Sequence, residues 1–168
     1  KVLLKKEPSF AVLISNNDPF GFDTREEHSA RRVRLEFSLI PKENDVLIYY
    51  YQWQTKGVGH VSMNEIKQGI DLVNCHKILI SKAYGAGDNY PHQIINVPFY
   101  VAPMSCCTET YLAIGPFGSE MEAMNALSYM KSKFFRFLVL LIKNTQNAMQ
   151  GVDRFVPLQD FSKPWTDE

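Results

Sequence analysis

Net charge is the first thing this chain lacks. Lys plus Arg (18) cancels Asp plus Glu (18), so no global field draws it to nucleic acid. Any such contact needs basic residues gathered on one face, or phosphate contacts supplied by another part of the protein. Long apolar runs are missing as well. The longest, Phe134 to Ile142, is interrupted by Arg136 and falls far below the roughly 20 residues needed to cross a bilayer. Cysteine is scarce: Cys75, Cys106 and Cys107 cannot all pair, and adjacent cysteines make a poor structural disulfide. A reducing cytoplasm is the simpler expectation. No secretory signal opens the chain, because Lys1 to Lys6 leads into Glu7 and Pro8 rather than an apolar run.

The equipment of an enzyme is missing too. There is no Gly-rich phosphate loop before a Lys and Ser/Thr, and no dinucleotide fingerprint after a strand; Gly85-Ala86-Gly87 is a partial match that runs into Asp88-Asn89-Tyr90-Pro91 instead of a helix. His28, His60, His76 and His92 have no metal-ligand spacing to one another or to the cysteines, and His76 beside Cys75 is the nearest approach to a pair. No Gly-x-Ser-x-Gly elbow occurs. Asn17-Asp18-Pro19-Phe20 approaches the Asp/Asn-Pro-Pro-Tyr/Phe tetrapeptide that amino-methylating DNA methyltransferases place against a flipped adenine, but its second Pro is absent. It reads as a turn. No catalytic, cofactor or metal-ligating residue is therefore expected within the chain.

What is present is an ordinary globular composition, 45% hydrophobic and 21% charged, which argues against disorder. The 168 residues fit a single domain. With no initiating Met, and with Trp165 to Glu168 placed where a helix could begin, the chain reads as a fragment of a larger enzyme. Ala11 to Ser15 is a short apolar element ending in the turn cluster Asn16-Asn17-Asp18-Pro19. Thr24 to Arg34 reads as an exposed charged loop. β-Branched and aromatic residues predict strands over Val33–Leu39, Val46–Gln52, Lys77–Ala83, Gln93–Val97 and Thr108–Ile114, with Glu109 as a solvated carboxylate on the last. Met63, Ile66, Ile70 and Val73 predict a short helix within Ser62–Asn74. Ser119 and Glu122 form a capping box before a helix whose apolar face is Met121, Met124, Leu127 and Met130. A second helix, from about Ser132 to Met149, reads as buried through Phe134, Leu138, Leu141 and Ile142, with a stripe of Lys133, Arg136, Lys143, Asn144 and Asn147 on the other side. The expected fold is α+β: a mixed or antiparallel sheet followed by two packed C-terminal helices.

Several of these segments resemble one family. SNNDPFGFDT is similar to the Ser-Ser-x-x-Pro-Phe-Gly-Phe/Leu segment in the C-terminal region of restriction–modification adenine methyltransferases. KILISKAYGAG resembles that family's strand and Gly loop, and PFYVAPMSCCTETYLAIGPF the segment after it. FFRFLVLLIKNTQ followed by FVPLQDFSKPWTDE resembles its closing helix and tail. The likeness runs in order along nearly the whole chain. It implies a target-recognition domain like the specificity domains of TaqI-like methyltransferases and type I specificity subunits. It also implies double-stranded DNA as partner, an upstream methyltransferase domain on the same polypeptide, and S-adenosylmethionine bound in that parent enzyme. Any coupled cleavage would belong elsewhere in the parent or to a partner subunit. The family's Ser-Ser-Arg stretch stands here as Ser15-Asn16-Asn17, without the basic residue.

A recognition module needs polar side chains on loops for base edges and cations for phosphates. Two loops qualify. The first, Asn16 to Arg25, offers Asn16, Asn17 and Arg25. The second, Lys82 to Gln93, offers Lys82, Asn89, His92 and Gln93 around the glycines at 85 and 87. Arg136 and Lys143 on the last helix could meet phosphate, solvent or the methyltransferase core. Two other readings compete with DNA recognition. One is an interaction domain that docks a partner subunit through the Met-rich helix. The other is a small enzyme using Cys106 or Cys107 as nucleophile, for which no activating base is evident.

Overall fold

The computed structural model describes residues 8–22, 37–82, 94–142 and 156–166. Its central element is β3 (His76–Ser81), a strand buried at all four of its inner positions. Such a continuous buried run needs cover on both faces, and the remaining elements supply it. β3 pairs antiparallel with β4 (Phe99–Val101) on one side and β6 (Tyr111–Phe117) on the other. A second three-stranded sheet has β1 (Asp45–Tyr49) at its centre, antiparallel to β2 (Gly59–Ser62) and parallel to β5 (Ser105–Cys107). The short α1 (Trp53–Lys56) links β1 to β2, and α2 (Ile70–Val73) precedes β3. The chain then closes with α3 (Glu120–Lys131) and α4 (Lys133–Ile142). The fold is α+β, with the last two helices at the C-terminal end.

The pleat assigns side chains to layers. Ile78 and Ile80 of β3, with Leu112 and Ile114 of β6, enter a core shared with Ala123, Ala126, Leu127, Tyr129 and Met130 of α3 and Phe135 and Val139 of α4. Leu79, Tyr111 and Ala113 point the other way, into a core shared with Val46, Ile48 and Val61 of the second sheet and with Phe20 and Phe22. The order of layers is thus sheet, sheet, helices. Phe10 sits at 0% exposure in the helix-side core, edge-on to Tyr129, Phe135 and Phe161 at 6.1, 5.2 and 6.1 Å. Phe10 N donates to Val156 O, and Leu158 N to Pro8 O. The early segment and the closing tail therefore pair over this layer.

Several expected elements differ in detail. Ala11–Leu13 belongs to a 3-10 turn that begins at Phe10. The described part of the Val33–Leu39 strand is not a strand; Ser38 there makes one isolated bridge to His60. The helix expected within Ser62–Asn74 is two pieces, a 3-10 turn at Met63–Glu65 with its own Ser62/Glu65 capping box, and α2. Gly69 at φ 66 separates them, with the Pro19 carbonyl oxygen 2.2 Å from where a Cβ would lie. The strand near Gln93–Val97 is displaced to β4, and Thr108–Ile114 divides into a turn at Thr108–Thr110 and the start of β6. At α3, Ser119 Oγ accepts from Glu122 N at 3.2 Å, but the Glu122 carboxylate reaches back to Gly118 N at 2.8 Å. The reciprocal half of the expected box has moved one residue upstream. α4 is not buried all round: Phe134, Phe137, Leu140 and Leu141 are 42–63% exposed. On α3, Met121 (69%) and Met124 (46%) also face outward. Arg25, Asn89, His92, Gln93 and Lys143 lie outside the described residues.

Candidate nucleic-acid interface

The pairing of β3 with its neighbours brings one end of the molecule together. Because β3 is antiparallel to β4 and β6, it ends toward the end where they begin, with Leu79 opposite Phe99 and Ser81 opposite Tyr111. Parallel β1 and β5 finish at the same end, with Tyr49 opposite Cys107. The Thr108–Thr110 turn then carries the chain into β6, with Thr108 N bonded to Tyr49 O at 3.0 Å and Glu109 N to Phe22 O at 3.1 Å.

The first candidate loop is fastened here at several points. Ile14 bridges to Ile114, Ser15 N donates to Ala113 O at 2.8 Å, and Ala113 N donates to Ser15 Oγ at 3.0 Å. The Asp18 carboxylate then accepts from Gly21 N and Phe22 N, both at 3.0 Å. This Asx turn fits Gly21 at φ 82. Phe20 (0% exposed) and Phe22 plug the sheet-side core, and Gln68 Nε2 donates to Asp18 O. The Asp-Pro-Phe-Gly segment is therefore an anchored turn. Its carboxylate is engaged by backbone and its ring is buried, so neither is presented to a substrate. Asn16 and Asn17 project from this anchor, exposed.

Lys82 joins the two loops. Its backbone N donates to Thr110 O at 3.1 Å, and its ammonium bonds both Asn17 O and the Glu109 carboxylate, the latter at 3.2 Å. Both charged side chains are largely covered, 19% and 12% exposed. Lys82 is thus a clamp between the loops, with its charge already matched. Glu109, expected to be solvated on a strand, is the other half of that clamp. Sequence spacing could not show this, because the partners are separated by 27 and 65 positions. Asn96 Nδ2 donates to Ser81 O at 3.0 Å and holds the return of the second loop against β3.

An aromatic group flanks the clamp. Tyr49 and Trp53 meet edge-on at 5.0 Å, Trp53 and Phe99 at 5.3 Å, Tyr49 and Phe99 at 5.7 Å, and Phe99 and Tyr111 edge-on at 5.8 Å. The Trp53 Nε1 is buried without a hydrogen bond of normal geometry. Burial pushes the Tyr111 hydroxyl up, and the neighbouring Trp53 and Gln54 side chains oppose that more weakly. These four rings went unnoticed in the sequence because each stands on a different element.

Arg136 is in another layer, exposed on α4. Of the described sequence candidates, Asn16, Asn17 and Lys82 converge and Arg136 does not join them. The thiols give little support to nucleophilic chemistry. Cys106 and Cys107 are fully buried, and burial pushes Cys106 up to about 12 and Cys107 well above its ordinary value. Among the described residues, no three of His, Cys, Asp or Glu gather as a metal set, and no helix is long and apolar enough to cross a membrane. Compared with family models, curated proteins and solved structures, the chain gives no match.

Proposed function

We propose that this chain is a DNA target-recognition domain, serving a restriction–modification adenine methyltransferase that binds S-adenosylmethionine in its own separate domain. The observation that carries the reading is the Lys82 clamp. It ties Asn17 of the first candidate loop to the root of the second, so both loops leave one end of the molecule. Base readout needs polar groups from several loops held in fixed register on a rigid scaffold. The exposed Asn16 and Asn17 amides can present both donor and acceptor to a base edge. The resemblance of the 15–24, 77–87, 98–117, 134–146 and 155–168 segments to target-recognition domains supports the same assignment.

The test is selection of bound duplexes from a randomised DNA pool at low salt. A defined enriched motif is the expected result. Affinity should be modest, weaker than about micromolar at physiological salt, because the net charge is zero and phosphate attraction scales with the cations engaged. Recovery of a pool without sequence bias would overturn the reading. A second reading, a subunit-docking domain, is favoured by one specific observation: the large apolar side chains of α3 and α4 that face outward.

A further inference from the structure

We propose that the outer face of α4 docks an amphipathic helix whose apolar stripe is bordered by acidic residues. Phe134, Phe137, Leu140 and Leu141 are 42%, 55%, 54% and 63% exposed. Phe135 and Val139 on the opposite side fill the core. At roughly 100° per residue, Phe137, Leu141 and Phe134 form one continuous apolar stripe, and Leu140 lies across Lys133 from it. Four large side chains held half out of water on one short helix exceed the scattered exposure expected of a monomer surface. The stripe is extended by Trp165, which stacks on Phe134 at 5.8 Å and 18°. Beside it lies a shallow, mostly polar groove of about 240 Å³, where Phe161 and Trp165 stand among Gln159, Asp160 and Lys163, whose two charges cancel.

Charge selects the occupant. No Asp or Glu occurs between Glu122 and Asp153, whereas Lys131, Lys133 and Arg136 are all exposed. In a chain of zero net charge, this is a local excess of one sign. A second copy of α4 would bring like charges together. Duplex DNA would match the cations but leave Phe137 and Leu141 uncovered. A bilayer would have to receive Lys133, which sits between Leu140 and Phe137 within the apolar sector. A helix with leucines on one face and carboxylates at its border covers the stripe and pairs the cations at once. This surface is separate from the Asn17–Lys82 end, so it stands or falls independently of DNA selection.

The experiment titrates the chain with two synthetic helical peptides of identical leucine pattern, one bordered by Glu and the other by Lys, followed by fluorescence anisotropy. The Glu peptide should bind about tenfold or more tightly than the Lys peptide. Phe137→Ser and Leu141→Ser should each weaken it several-fold. Both side chains lie more than half in solvent, so thermal melts should stay unchanged. The double variant Lys133→Glu with Arg136→Glu should reverse the preference, a result that loss of folding cannot imitate. Equal binding of the two peptides, or full binding by Phe137→Ser, overturns the proposal. So does uptake by phosphatidylserine vesicles without peptide binding, or a dimer in sedimentation that Leu141→Ser dissolves.

Discussion

The two faces of β3 are covered by different materials. On the helix side, Ile78 and Ile80 meet α3, α4 and a ring cluster centred on Phe10. The polar atoms there are matched: the Tyr129 hydroxyl donates to Pro157 O at 3.1 Å and Asn125 Nδ2 to Phe161 O at 2.9 Å. On the sheet side, the same strand presents Leu79 and, two residues before it, a fully buried Lys77. Its ammonium donates to Val73 O and Cys75 O at 3.3 and 2.9 Å, at the end of α2. Two buried thiols and the buried Trp53 N–H, which lacks a hydrogen bond of normal geometry, share that layer. Local rules are kept on one face and broken on the other, and the broken face is the one to which Asn17, Glu109 and Lys82 are fastened. Proteins concentrate such exceptions at functional surfaces, so the contrast itself supports the location of the candidate site.

Removing Phe10 should have the largest effect. Phe10→Ala leaves a cavity among Tyr129, Phe135 and Phe161, and the cost should be about 3–5 kcal/mol. That is a large share of the stability of a small domain. Chemical denaturation with the slope held common checks it. A loss below about 1 kcal/mol, as a surface substitution would give, would mean that the helix-side core is not the tighter half.

Lys77 is the matching test of the sheet side. Burial lowers its pKa from 10.5 to about 8. A base that sheds its proton more readily when folded contributes its full stability above pH 10.5. It loses that contribution as pH falls toward 8, and below 8 the penalty is constant. Wild-type stability should therefore gain up to about 3 kcal/mol across this window, and Lys77→Met should lack the gain. The lost carbonyl bonds shift the variant's curve by a constant. Cys106 and Cys107, both raised, act in the opposite sense in both proteins, so the readout is the difference between the two curves. A difference that does not change with pH would show that burial does not lower the Lys77 pKa.

These contrasts show where the sequence was readable. The helices were legible because Ser119 and the spacing of Met121, Met124, Leu127 and Met130 are local signals, though on α4 it is Phe135 and Val139, not the expected Phe134 and Leu141, that enter the core. β3 was legible as a bounded apolar run. The second sheet was not foreseen. β5 is only Ser105–Cys107 and β2 begins at Gly59, so neither carries enough alternation to be seen alone. The outward apolar face of α4 was read as buried because periodicity reports that a helix is apolar without saying which sides find cover. At the candidate site, Asn16, Asn17 and Lys82 could be nominated as polar loop residues. Glu109 and the four rings could not, since their meaning depends on contacts between distant elements.

A smaller effect is expected where the candidate site joins the sheet-side layer. Glu109→Gln removes the ion pair and leaves Lys82 bonded to Asn17 O but without its counter-charge. The pair is partly screened by solvent, so the stability cost should be about 1 kcal/mol. The freed ammonium should meanwhile add one phosphate contact, steepening the dependence of log affinity on log salt by roughly one unit. Thermal melts and DNA titrations at three salt concentrations read the two effects separately. A steeper slope without any loss of stability would mean that the pair does not hold the loops.

The smallest change in stability carries the sharpest information. Asn17 lends its backbone carbonyl to Lys82 and leaves its side-chain amide in solvent. Asn17→Ala removes the amide and keeps the clamp, so stability should move by less than about 0.5 kcal/mol. If the amide reads a base edge, one position of the selected motif should relax, with discrimination there falling by roughly 1–3 kcal/mol. Lys82→Met does the converse: it keeps the amide and releases the loop, and should blur every position at once. Repeating the random-pool selection with both variants tests this difference. A motif unchanged by Asn17→Ala but lost with Lys82→Met would make the first loop a support for neighbouring readers. A motif unchanged by both would remove this end of the molecule from the recognition surface.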